Sequence, residues 1–384
     1  MISEKDVVEL ASELVRIDSS NSWLVPGAPG ESAAAGWIQR WLEPLGVETA
    51  LEEAEPGHPN LIVRLKGRGG GRTLCLYAHL DTVGASEWPE RARVPEVRGD
   101  RLIGLGAADD KGHAAAALLA LREIARAKDR PRGDLMLSLV ADEEGTSLGS
   151  FDFVKRHKPD AMLVLEALGL GHYTVCHQGF GSIDLVVGGR AAHGSRPDIG
   201  VDAISHMAEV IVRLNRIDRE KYAPNPHPLN MKTVFHAGTI RGGADYASYP
   251  AQCVLGIEIG TQPGEGIEDR VREIEAVFAE VKALYPAFKG RIDIRLARKP
   301  FTASGHEELM RILDGEERRV IGRPIVAVGE NSWGDPAIFQ EAGIPTLMLG
   351  AAGDNLHAPD EWVSIPELTQ LAEIVAGTAR VFCA

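Results

Sequence analysis

The chain is short of several things, and each shortage excludes something. Positive charge comes first: 41 Lys and Arg stand against 55 Asp and Glu in 384 residues, a net charge of −14. A nucleic-acid-binding domain needs a basic face to meet phosphates, so that class is set aside. Paired cysteine comes second. Cys75, Cys176, Cys253 and Cys383 are scattered, with no CxxC among them. A disulfide framework is not expected, and a reducing compartment is. Long apolar runs come third. No stretch approaches 18 apolar residues, and the N-terminus MISEKDVVELASELVRI carries acids at helix spacing rather than a basic segment followed by an apolar one. Neither a membrane span nor a secretory leader is expected, and the cytoplasm is the expected location. Internal repeats and low-complexity segments are also missing.

What is present centres on Leu74 to His113. The apolar run Leu74-Cys75-Leu76-Tyr77-Ala78 ends in His79-Leu80-Asp81. Such a run with a polar end reads as a buried parallel strand delivering its last side chains to a cleft. Further on, Asp109 and Asp110 precede an Ala- and Leu-rich helix from His113 to Ala127. Asp134 to Ala141 is a second strand, ending in Asp142-Glu143-Glu144-Gly145. Ala161 to Leu165 is a third, ending in Glu166. Ligands of open α/β sheets bind at the carboxyl ends of strands.

Around this centre the chain reads as a layered α/β domain. Ser3 caps a helix running to Arg16, with Asp6 completing a capping box. Glu31 to Leu45 is helical, with Trp37, Trp41 and Leu45 on one face. Asn60 to Lys66 and Arg72 to Ala78 read as strands. The glycine turn Gly67 to Gly71 between them is too short for a crossover, so they are expected to pair as an antiparallel hairpin. Near Gly179 the texture changes to a β-α-β-β-α-β rhythm, expected to form a small ferredoxin-like sheet covered by two helices. The first texture returns near Pro300, with a helix from His306, the strand Thr346 to Leu349 and a final helix from Ile365. The expected fold is therefore a mixed-sheet α/β/α domain over residues 1–178 and 299–384, interrupted by an inserted α+β domain over 179–298.

The polar residues at strand ends form one set: His79, Asp81, Asp109, Glu143, Glu144, Glu166 and, in a later loop, His357. Histidines with carboxylates suit a borderline cation such as zinc. Three carboxylates and two histidines exceed what one tetrahedral ion needs. They fit two ions sharing a carboxylate. GLGAAD, Gly104 to Asp109, lacks the third glycine of a dinucleotide fingerprint and places an acid there, so a nucleotide site is not expected.

The segments AHLDTV, GLGAADDKG, DEEG, AHGSRPDIGVDAI and NLHAPDEWV resemble, in order, the dinuclear zinc amidohydrolase and peptidase family of acetylornithine deacetylase, succinyl-diaminopimelate desuccinylase, aminoacylase-1 and carboxypeptidase G. The resemblance implies two zinc ions, with cobalt or manganese as possible substitutes. It implies His79 and Glu166 on one ion, Glu144 and His357 on the other, and Asp109 bridging both. Asp81 would orient His79, and Glu143 would be the general base. His193, in the inserted domain, would steady the tetrahedral oxyanion. It also implies a cis Asp109–Asp110 peptide and an inserted domain that serves as lid and homodimer surface.

One segment departs from the family. Members that cleave amino-acid conjugates carry an Asn and an Arg in the lid that resemble a clamp for the substrate carboxylate. Anchored on Pro250, those positions here hold Ala247 and Gly260. Arg196 or Arg241 would have to substitute, or the substrate lacks that carboxylate. An Arg restored at position 260 is expected to favour the carboxylate if the backbone there points into the cleft. The expected function is hydrolysis of an amide bond in a small substrate without the usual α-carboxylate. The rival is an N-acyl-amino-acid deacylase or small peptidase with a relocated clamp. Hydrolytic deamination of an aromatic amine and a non-catalytic binding protein are more distant alternatives.

Overall fold

The computed structural model describes residues 2–384. The chain divides into two compact units. The first comprises Met1–Val175, Ala303–Ala327 and Gly334–Ala384, and the second comprises Cys176–Thr302 and Val328–Trp333.

The first unit is built on a mixed sheet. Its strands run in the order Glu48–Glu55, His58–Leu65, Leu135–Val140, Leu74–His79, Ala161–Leu165, Thr346–Leu349 and His172–His177. Leu74–His79 lies parallel to both of its neighbours, and Thr346–Leu349 continues the parallel set. Alternate residues of Leu74–His79 feed two cores. Leu74, Leu76 and Ala78 join the cluster made by the helices Glu4–Arg16, Lys111–Ala125 and Ile365–Phe382. Cys75 and Tyr77 join Phe153 and Phe339 on the other face. Both faces are covered, so the strand is apolar throughout, as expected of a central parallel strand. Each such Leu contributes about 1.5–3 kcal/mol on burial. Because the central strands are parallel, His79, the Asp142–Gly145 turn and Glu166 all emerge at the carboxyl ends of these strands.

The expected hairpin between Asn60–Lys66 and Arg72–Ala78 does not form. His58–Leu65 pairs with Glu48–Glu55 on one side and with Leu135–Val140 on the other. The later strand is thus inserted between two strands that are neighbours in sequence. The glycines explain how. Gly67 donates to Asp134, and Arg68 and Gly69 donate to the carbonyls of Pro131 and Arg132. A Cβ on Gly71 would lie 2.2 Å from the Gly133 nitrogen. The glycine turn is a close backbone crossing over the entrance to the inserted strand, a use that only glycine permits.

The N-terminal helix is capped as expected. Ser3 accepts from the Asp6 amide, and Asp6 accepts from Ser3 in return. The second unit shows the β-α-β-β-α-β order. Its antiparallel sheet runs Phe235–Gly242, Gln252–Thr261, Gly179–Gly188, Lys289–Arg298. Ile183, Leu185 and Val187 pack against Met207 and Val210 of one helix and Ile274 and Val277 of the other. Phe235–Gly242 is an edge strand that the sequence reading did not assign, being exposed over nearly its whole length.

One buried acid carries a stability prediction. The helix Glu307–Ile321 buries Leu309, Ile312, Leu313 and then Glu317. Neither Glu317 oxygen has a partner at hydrogen-bond geometry among the described residues. Burial pushes its carboxyl up to about 7, opposed by the nearby Gly171 amide and Arg323. A carboxyl raised in the folded state stabilises fully below its unfolded pKa, and the benefit is lost as pH rises through the folded one. Wild-type protein should therefore lose stability at this site between about pH 4.5 and 7, on the order of 1–3 kcal/mol. Glu317→Gln, which cannot ionise, should melt several degrees higher than wild type at pH 8 and show a flatter pH profile. Parallel melting curves for the two across pH 5 to 8 would refute this.

Candidate metal centre

Each residue of the cluster arrives by a different local route. His79 is the last residue of its strand and is fully buried. Its Nδ1 lies 3.1 Å from the Asp81 carbonyl and 3.4 Å from Asp81 Oδ1. A carbonyl only accepts, so Nδ1 keeps its proton and Nε2 is the nitrogen presented to the site. Asp109 precedes the helix Lys111–Ala125, across a cis Asp109–Asp110 peptide. Glu143 and Glu144 ride the turn after Leu135–Val140, and Glu166 follows Ala161–Leu165 directly. His357 stands on the loop beyond Thr346–Leu349, at a φ of 60°. A non-glycine residue in that region costs of order 1–3 kcal/mol and persists where the surroundings demand it.

These residues converge. Asp109 Oδ1 is 2.8 Å from His79 Nε2, which is also 3.7 Å from Glu166 Oε1. Asp109 Oδ2 is 3.1 Å from His357 Nε2, which is also 3.0 Å from Glu144 Oε2. The two oxygens of one carboxylate thus face two different histidine–glutamate pairs.

The electrostatics show a site short of positive charge. Burial raises the Glu143 carboxyl well above its usual range, and the nearby Asp335 carboxylate adds to this. Burial likewise raises Glu166, with Asp110 adding, and raises Glu144, with Asp109 adding. For Asp109 burial is outweighed by hydrogen bonds to His357 and His79, which hold it low. His357 is pushed up to about 10 by its bonds to Asp109 and Glu144. Glu144 Oε1 is buried without a hydrogen-bond partner among the described residues. Compact sets of ligand atoms occur at His79, Asp110 and Glu166 and at His79, Asp109 and Glu144, each within 4.8 Å. Imidazole and carboxylate donors, mutually repelling acids and an orphaned oxygen all fit divalent cations of the zinc type.

His193 belongs to the second unit, on an exposed loop, where its Nδ1 lies 2.8 Å from Ser195 Oγ. His113 is a buried histidine held by backbone groups. Its ring lies 2.9 Å from the Ala108 carbonyl and accepts from the Ala351 amide at 3.0 Å, and burial pushes its pKa down to about 4.

The sequence reading missed several supports. Asp110 accepts from the His79 amide at 3.0 Å; its place beside Asp109 was a signal. Glu361 accepts from the amides of Gly106, Ala108 and Asp109, and so cradles the loop that carries Asp109. Asp335 accepts from Tyr77 and Ser150 beneath Glu143. No local pattern marked the last two.

The chain is similar to known proteins over nearly its whole length. The chain is 28% identical over 365 residues to an acetylornithine deacetylase of Aliivibrio fischeri, covering 90% of this chain and 91% of that one. Its fold is similar to that of a Staphylococcus aureus tripeptidase, with a TM-score of 0.84 at 22% identity over 100% and 99% of the two chains. It is also similar to a dinuclear metal-binding peptidase of Bacillus subtilis, with a TM-score of 0.76 at 15% identity over 99% and 98%. The sequence model of one family matches residues 75–381, which include all five residues of the cluster. On that match the chain belongs to peptidase family M20/M25/M40 and is a metal-dependent hydrolase.

Proposed function

We propose that this chain hydrolyses an amide bond in a small substrate that lacks a free carboxylate beside the scissile nitrogen, using two zinc ions. The observation that carries the reading is Asp109, whose two oxygens face His79 with Glu166 and His357 with Glu144. His79, Asp109 and Glu166 would hold one ion, and Asp109, Glu144 and His357 the other. Zinc bound there supplies Lewis-acid activation of water and of the substrate carbonyl.

The chain's own residues do the rest. Glu143 takes the proton of the attacking water and returns it to the leaving nitrogen. Asp81 holds the His79 ring in one orientation and fixes the Glu143 and Glu144 amides. His193, from this chain or its partner in a homodimer formed through the second unit, would donate to the developing oxyanion. The cytoplasm is the proposed location.

The substrate class follows from what the second unit lacks. At the clamp position, a Cβ on Gly260 would lie 2.4 Å from Gln178 Oε1 and 3.1 Å from the Val234 nitrogen. The Gln178 amide fills that space and is committed to Asn230, Lys232 and Val234. An Arg installed at 260 would displace this bracing and would not restore a clamp. Arg196 is paired twice with Asp198, at 2.8 and 2.9 Å, and is already neutralised. Arg241 remains as the guanidinium for a relocated clamp, exposed on the edge strand Phe235–Gly242. A deacylase using it is the second reading, favoured by the similarity to acetylornithine deacetylases.

Matched substrate pairs decide between the two. Substrates differing only in carboxamide versus carboxylate next to the scissile nitrogen should be hydrolysed better as the carboxamide. A tenfold or greater preference for the carboxylate in kcat/KM, about 1.4 kcal/mol, would establish the second reading instead.

A further inference from the structure

We infer that Asn21 is a positioning residue of this centre: one side-chain amide fixes the two carboxylates from which the Glu143–Glu144 turn is held. The inference rests on the functional reading above. Asn21 lies on the loop after the first helix, outside the residues matched by the family model. It is fully buried. Its Nδ2 donates to Asp81 Oδ2 at 2.8 Å and to Asp142 Oδ1 at 2.8 Å. An amide nitrogen has two hydrogens, so each carboxylate receives one. Its Oδ1 accepts from the Trp23 amide at 2.8 Å and the Leu24 amide at 3.3 Å. Carboxylates on one side and N–H donors on the other allow only one orientation of the group.

What the two carboxylates do makes this more than a loop staple. Asp81 Oδ1 accepts from the Glu143 amide at 3.1 Å, and Oδ2 accepts from the Glu144 amide at 3.1 Å. Asp142, at a φ of 60°, turns its Oδ2 to the Thr146 amide at 3.1 Å and the Thr146 hydroxyl at 2.5 Å. The turn bearing the base and one ligand therefore hangs from Asp81 on one side and Asp142 on the other. Asn21 sets the rotation of both and separates their charges. Without its amide, two buried acids face each other with no donor between them, and the Asp81 carboxylate is no longer held square to two successive amides. A larger residue does not replace it: a Cβ on Gly145 would already lie 3.1 Å from Asn21 Nδ2, so the space is closed on that side.

The test uses the full-length enzyme with Asn21→Asp, which keeps the shape and loses both donors. Asn21→Ser, which keeps one donor in a smaller volume, serves if Asn21→Asp does not fold. Three quantities are read: kcat and KM of the zinc-loaded enzyme, cobalt affinity by equilibrium dialysis, and the visible absorption of the cobalt-loaded protein. Loss of an outer residue that orients ligands costs about 10–100-fold in metal affinity or activity. Asn21→Asp should therefore lose kcat by about that factor with KM within about threefold, bind cobalt at least about tenfold more weakly, and shift the cobalt bands. Asn21→Ser should fall between it and wild type. A lowered melting temperature with kcat, cobalt affinity and cobalt spectrum at wild-type values would overturn the inference and leave Asn21 a structural residue. Wild-type protein that neither binds cobalt nor cleaves amides would instead overturn the functional reading itself.

Discussion

Glu143→Gln should retain its metals and lose turnover by about 10²–10⁴-fold, the usual weight of general acid–base catalysis. The substitution preserves shape, and the backbone bond from residue 143 to Asp81 does not depend on the side chain. The ligand set is also untouched, since Glu144 carries its own carboxylate to His357. What disappears is the carboxylate proposed to accept a proton from water and release it to nitrogen. The loss should fall on kcat, because proton transfer belongs to the transition state and not to substrate binding. Near-normal turnover with full metal content would mean that another group activates the water. Asp335, buried next to Glu143, would be the first to examine.

The second large effect concerns the metals. Wild-type protein should hold about two equivalents of zinc, as in other two-metal hydrolases. His79→Ala should lower that number, because His79 is fully buried and its Nε2 meets Asp109 at 2.8 Å. Asp109→Ala should lower it further, since it removes the only carboxylate among the described residues that faces both histidines. Elemental analysis after dialysis against a weak chelator separates these cases. Unchanged stoichiometry in His79→Ala would remove the basis for the whole assignment.

Much of this could be read from the chain before the fold was seen, and the rest could not, for physical reasons. Strand ends were legible because an apolar run stopping at His79 or Glu166 is a local event. The pairing of Glu48–Glu55 was not legible. It is an acidic edge strand, exposed along one side, and its sequence ETALEEAE has none of the β-branched bias that marks buried strands. Phe235–Gly242 escaped because it is an edge strand exposed over nearly its whole length, with no apolar alternation to mark it. The false hairpin arose because a glycine turn carries the same signal whether it reverses a chain or passes beneath another. Asn21 was invisible because its partners lie 60 and 121 positions away. A short polar residue in a loop does not announce which distant carboxylates it will meet. Glu361 and Asp335 are the same case.

The inserted strand has a consequence for how the molecule is made. Leu74–His79 takes its place only when Leu135–Val140 lies between it and His58–Leu65. During synthesis, the hairpin Glu48–Leu65 can close at once, because its contacts are local. The edge of Leu74–His79 that faces that hairpin must wait for more than fifty further residues to leave the ribosome. Its apolar side chains and unpaired backbone groups are exposed over that interval, the condition under which chains associate wrongly. The same wait applies to chemistry. His79 and the Glu143–Glu144 turn sit at the ends of these two strands, so the cation site cannot exist before they pair. With the proposed ligands, metal capture would therefore be a late step in the life of the nascent chain and would report that the centre of the sheet has closed.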